Sequence, residues 1–173
     1  MRYLIRRSVA VWLVSVMCAC SITAQTRQPS EPAVDYQLRV AGEVERELKL
    51  GPADMARLTR RSLKAKDHSG SEATFEGVAL IDVLQLAGVR FGDGLRGKSL
   101  ALYLVAEAAD GYRAVFALPE LDPAYTDHVV LLADRRDGSK LSSAEGPLRI
   151  VVAGEKRQAR WVRQVAALII KRA

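Results

Sequence analysis

Ala109-Asp110-Gly111 separates two alternating apolar runs, LALYLVAEA before it and YRAVFAL after it. Asp-Gly in that setting is a strong hairpin signal, because the turn needs a residue at positive φ and glycine takes that conformation freely. A hairpin commits this part of the chain to antiparallel sheet, and the neighbouring segments point the same way. In DYQLRV, Tyr36, Leu38 and Val40 alternate with polar residues, and Val44, Leu48 and Leu50 return on one face. RRSLKAKD sets Leu63 and Ala65 against Lys64 and Lys66, while HVVLLAD, PLRIVVA and QVAALIIK are further strands rich in Val, Ile and Leu. Helical spacing is confined to GPADMARL, with Met55 and Leu58 turned inward, and to ALIDVLQLAGV. There Leu80, Val83, Leu84 and Ala87 share a face and Gly88 follows. About seven to nine strands with two or three short helices predict an α+β domain dominated by sheet, over residues 35–173.

The first residues belong to something else. Arg2, Arg6 and Arg7 precede the apolar run VAVWLVSVMCAC and the small residues of SITAQ. That order of charge, short apolar stretch and small residues predicts a secretory signal over residues 1–24, with cleavage after Ala24. QTRQPSEPAV, residues 25–34, reads as a flexible polar leader. An exported, periplasmic protein is the expectation. Without its signal the chain carries 23 basic and 20 acidic residues, a net +3 in place of +6. So small an excess predicts no nucleic-acid partner, and after cleavage no membrane attachment. Cys18 and Cys20 are the only cysteines, so the exported domain is cysteine-free, with no disulfide, thiolate ligand or cysteine nucleophile.

No phosphate loop, dinucleotide fingerprint, nucleophile elbow or H-E-x-x-H motif is present. The chemistry that stands out is cationic. In residues 146–165, GPLRIVVAGEKRQARWVRQV, the side chains Arg149, Lys156, Arg157, Arg160 and Arg163 face one acid, Glu155. Guanidinium groups fixed beside a strand grip phosphate or carboxylate in a planar, two-pronged manner. The same cluster also suits an ordinary solvated face, its members paired with acids such as Glu145 and Glu155. His68 and His128 stand sixty residues apart; His68 in KDHSG reads alone as a surface turn residue, and Asp110 as a turn former. Trp161 reads as a core or edge aromatic with a cation beside it.

The order of these signals resembles the oxidoreductase molybdopterin-binding domain of the sulfite oxidase family. The resemblance rests on Gly77, Val78 and Leu80 with Ala87-Gly88, then Asp110-Gly111-Tyr112, then Leu131-Leu132-Ala133 with Asp137-Gly138 and Leu141. Gly146-Pro147-Leu148-Arg149 with Gly154, and Arg157 before Arg160-Trp161-Val162, complete it. It implies layered mixed sheets with a β-grasp-like portion and a few short helices. It also implies that Arg149, Lys156, Arg157 and Arg160 line the face where relatives hold the pterin and its phosphate. His68, Asp110 and Tyr112 join that cofactor-binding set. In the family, the strand matching RSLKAKDHSG supplies a cysteine thiolate to molybdenum; here the nearest position is Ala65. Ala153 likewise stands where the family has proline, and Arg6-Arg7 lack the rest of a twin-arginine signal.

The resulting expectation is an exported homologue of these oxidoreductase domains. It binds a pterin-like or other small anion, molybdopterin being the cofactor implied, with no bound molybdenum and no catalytic residue assigned. The alternatives are a non-catalytic binding or sensory module that works through a protein partner, and an enzyme with a substitute metal ligand such as His68. For the anion site, Arg149, Arg157 and Arg160 are expected to converge, at least two of them, on one concave surface near the KAKDHSG strand end.

Overall fold

A computed structural model describes residues 35–173; the expected signal and leader lie outside the described residues. Two five-stranded sheets organise them. The first runs in the order β2 (Leu48–Leu50), β1 (Leu38–Gly42), β10 (Val165–Arg172), β5 (Leu102–Ala108), β6 (Arg113–Ala117). It is mixed, since β1 lies parallel to β10 while its other pairings are antiparallel. The second is antiparallel throughout. Its path is β3 (Arg60–Lys66), β4 (Glu72–Ala79), β7 (Val130–Arg136) and β8 (Ser139–Lys140), and β9 (Arg149–Val152) also pairs with β7. The α-helices are short: α1 (Pro52–Met55) and α2 (Leu80–Leu86). Among the described residues no helix is long and apolar enough to cross a membrane.

The alternation read in the sequence decides which side chains enter the core. Leu38 and Val40 are buried while Arg39 between them is exposed, and α2 buries Leu80, Val83 and Leu84. The centre is filled by Phe75, Phe116, Leu104, Leu131, Leu132 and Ile150, all fully buried. Ten strands exceed the expected seven to nine because the run through β7 turns back into a very short strand. Arg136 pairs with Ser139 across Asp137-Gly138, both at positive φ. That is the geometry of a two-residue hairpin turn, and it adds the two-residue β8.

The Asp-Gly hairpin has the form the sequence implies. Glu107 pairs with Arg113, and the Gly111 N–H donates to Ala108 O (3.0 Å) with Gly111 at φ +86°. Asp110 stabilises the turn by accepting the Tyr112 N–H on Oδ1 (2.9 Å). Gly77 has a different reason to lack a side chain. At a register shift between β4 and β7, a Cβ there would sit 2.1 Å from Leu132 O. No side chain fits between these strands.

Candidate functional site

Arg149 opens β9, opposite Ala133 of β7, and only 2 % of it is exposed. A buried guanidinium needs partners, because removing a charge from water is costly. It has three. Nη1 bonds to Glu145, and the guanidinium carbon lies 5.6 Å from the Phe75 ring centre and 5.3 Å from that of Trp161. The two rings meet edge to face at 5.7 Å. Arg136 lies 5.7 Å from the Phe75 ring centre and bonds to Asp67 at 2.5 Å. The Ser69 hydroxyl, then Arg136, hold the Asp67 carboxyl well below the usual carboxylate range. Burial pushes the pKa of Arg149 down, and Glu145 opposes it. One donor remains: Arg149 Nε is buried with no hydrogen-bond partner among the described residues.

Arg149 forms part of the wall of an open cavity of about 370 Å³, with Arg163, His68, Asp110, Tyr112 and Gln158. Local bonds hold the rim. The Tyr112 hydroxyl donates to Ala159 O (2.6 Å), and Gln158 Nε2 donates to Lys66 O (2.9 Å). The second bond ties the 3₁₀ turn Gln158–Arg160 to the end of β3, so the cavity sits beside the KAKDHSG segment.

Four of the seven residues named from the sequence therefore meet: His68, Asp110, Tyr112 and Arg149. The expected convergence of Arg149 with Arg157 and Arg160 does not occur. Arg160 faces a second cavity and is held by Glu120 (2.7 Å) and Glu155 (2.5 Å), with the Phe116 ring centre 4.7 Å away. Burial works against its charge, but the hydrogen bonds to Glu120 and Glu155 prevail and raise its pKa. Lys156 and Arg157 are exposed and line neither cavity. The physical reason is capture by different carboxylates: Glu145 takes Arg149, while Glu120 and Glu155 take Arg160 on the other side of the turn. Arg163, present in the basic run but not chosen from it, supplies the second cation instead. It is exposed and makes no ion pair among the described residues. The cation beside Trp161 is likewise Arg149, not its chain neighbour Arg160.

Ala65 is 8 % exposed and pairs across the strands with Ala73. A methyl group has no lone pair, and among the described residues no three His, Cys, Asp or Glu side chains are placed to hold a metal ion. The donor set thus fits an anion and does not fit a molybdenum ion held by a protein thiolate.

Both sheets contribute to the wall of the cavity that holds Arg149 and Arg163, within a sheet-rich α+β domain. Residues 24–172 match the family described as the oxidoreductase molybdopterin binding domain, and the chain belongs to that family, the sulfite oxidase family. Among solved structures, it is similar to the sulfane dehydrogenase SoxCD from Paracoccus pantotrophus. The TM-score is 0.62 and the identity 24 %, over 78 % of this chain and 38 % of that one. The chain thus spans well under half of that protein, and the likeness bears on the fold. No curated protein matches the sequence.

Proposed function

We propose that this domain binds a small oxyanion, either the phosphate of a pterin or a free ion of similar size, in the Arg149 cavity without a protein-bound molybdenum. One observation carries the reading: a buried arginine in the wall of an open cavity keeps an Nε that no group among the described residues bonds. An unpaired buried donor is expensive, and an anion removes that cost through a charge-assisted hydrogen bond. Arg163 adds a second charge at the rim, and His68 and Tyr112 border the opening. The family binds molybdopterin, whose phosphate has the required chemistry; Ala65 supplies nothing to a metal. Export belongs to the same proposal, and N-terminal sequencing of secreted protein should find a start near Gln25.

Calorimetric titration with phosphate, sulfate and a pterin phosphate at low salt is the direct test. Saturable binding is expected, weakening as salt screens the open cavity. Arg163→Ala should weaken it by about tenfold or more, the value of one charge-assisted bond, with an almost unchanged melting temperature because Arg163 is exposed. Wild-type protein with no saturable response to any of the three anions overturns the proposal.

A further inference from the structure

The turn that borders the Arg149 cavity also separates it from the second cavity, of about 380 Å³. This one opens between the 3₁₀ turn Leu118–Leu121, the start of β7 and the chain leaving β9. Pro119, Val130, Val152 and Ala153 give it a hydrocarbon lining. Its formal charge is −1, from Glu120 and Glu155 against Arg160, with His128 counted neutral. Arg160 is not free to recruit an anion, because its nitrogens are already spent. Nη1 bonds Glu120 at 2.7 Å, while Nε and Nη2 both approach Oε1 of Glu155, at 2.7 and 2.5 Å.

That last detail matters. A forked pair would place one nitrogen on each carboxylate oxygen. Here both converge on Oε1, and Oε2 of Glu155 is buried with no hydrogen-bond partner among the described residues. An unpaired buried carboxylate oxygen carries its desolvation penalty until a donor reaches it. A donor, preferably cationic and attached to something apolar enough for the lining, would offset that penalty.

We propose that this cavity binds an alkylammonium group, with its N–H on Glu155 Oε2 and its carbon chain along Val130 and Val152. A free small amine and a lysine side chain present the same chemistry. A divalent metal is disfavoured, since among the described residues no three ligating side chains are placed together there. A quaternary ammonium lacks the N–H, and an anion meets net negative charge. The inference stands on Glu155 and does not depend on the Arg149 cavity.

The test is an amide-resolved NMR titration of the whole domain at low salt with n-butylammonium, tetramethylammonium and butyrate. Butylammonium should give saturable shifts at Val130, Ala153, Gly154 and Glu155, tetramethylammonium much weaker ones, and butyrate none. Nα-acetyl-lysine amide binding more tightly than butylammonium identifies a protein lysine as the source; the reverse order identifies a free amine. Glu155→Gln keeps an acceptor for Arg160 but loses the charge, and should lower the affinity about tenfold or more. Glu120→Gln leaves Glu155 Oε2 untouched and should lower it less, which keeps the assignment testable if Glu155→Gln fails to fold. The absence of saturable shifts at these amides, an equal response to butyrate, or Glu120→Gln weakening binding more than Glu155→Gln would each overturn the proposal.

Discussion

The Arg149 guanidinium sits 5.3 Å from the centre of the Trp161 ring, with Glu145 as its one acidic partner among the described residues. Its side chain is 3 % exposed against 21 % for that of Glu145, so the two ends of the pair have unequal access to water. Removing the acid leaves a buried cation unpaired, which costs about 3–5 kcal/mol. Replacing the cation by a similar apolar volume leaves a carboxylate that can still reach solvent. Glu145→Ala should therefore destabilise the domain more than Arg149→Met, as read from urea unfolding midpoints at constant slope. Equal losses would mean that stacking on Phe75 and Trp161, and not the ion pair, stabilises Arg149.

Two glycines separate the cost of backbone conformation from the cost of space. Gly111 lies at φ +86° and a Cβ added there would meet nothing within 4 Å, so Gly111→Ala should lose about 1 kcal/mol, from conformation alone. At Gly77 the added carbon would meet Leu132 O at 2.1 Å and Ala133 Cα at 2.6 Å, both backbone atoms of the next strand. Gly77→Ala should lose about 3 kcal/mol or more, because the β4–β7 pair has to separate. Urea unfolding of the two variants checks the order.

Acid should act on the turn beside the cavity. The Asp67 carboxyl accepts hydrogen bonds from the Ser69 hydroxyl and from Arg136, which lower its pKa in the folded protein. In the unfolded chain it takes up a proton near its ordinary value of about 4. The stability it contributes is therefore present above about pH 4 and is lost as pH falls toward the depressed folded value. Asp67→Asn should be less stable than wild type at neutral pH, and the gap should close below about pH 4. Unfolding midpoints followed down the acid limb read this directly; a gap of constant size would remove Asp67 from the acid response.

Local rules made much of the fold legible. Asp110-Gly111 needs no tertiary context to turn, and the apolar stripe of Leu80, Val83 and Leu84 shows a helix face by spacing alone. The site was legible only in outline, because it is made by contacts distant along the chain. Phe75 and Trp161 are 86 positions apart in sequence and touch only once β4 and the segment after β9 are packed. Which carboxylate captures which arginine follows from the same packing. Spacing could therefore show that Arg149 and Arg160 lie in one basic run, but not that Glu120 draws Arg160 toward the other cavity. Arg163 has no local mark that sets it apart from Arg157, and only the fold brings it to the Arg149 cavity.

Metal content tests the consequence of Ala65. Its methyl group is buried opposite Ala73, on the strand whose end Gln158 ties to the cavity. Wild-type protein purified from cells that make molybdopterin should contain far less than one molybdenum per chain by elemental analysis, whether or not a pterin accompanies it. Ala65→Cys adds a single sulfur atom at a site flanked by another alanine, so it should cost no more than about 1–3 kcal/mol. It also offers the thiolate that molybdenum favours. A rise in molybdenum on making Ala65→Cys would assign the low content to this one side chain. Stoichiometric molybdenum in the wild type would refute the metal-free reading and direct attention to His68, a harder ligand that borders the cavity. His68→Ala should then strip the metal. If it does not, neither Ala65 nor His68 governs metal binding, and the anion reading of the cavity has to stand on the titration alone.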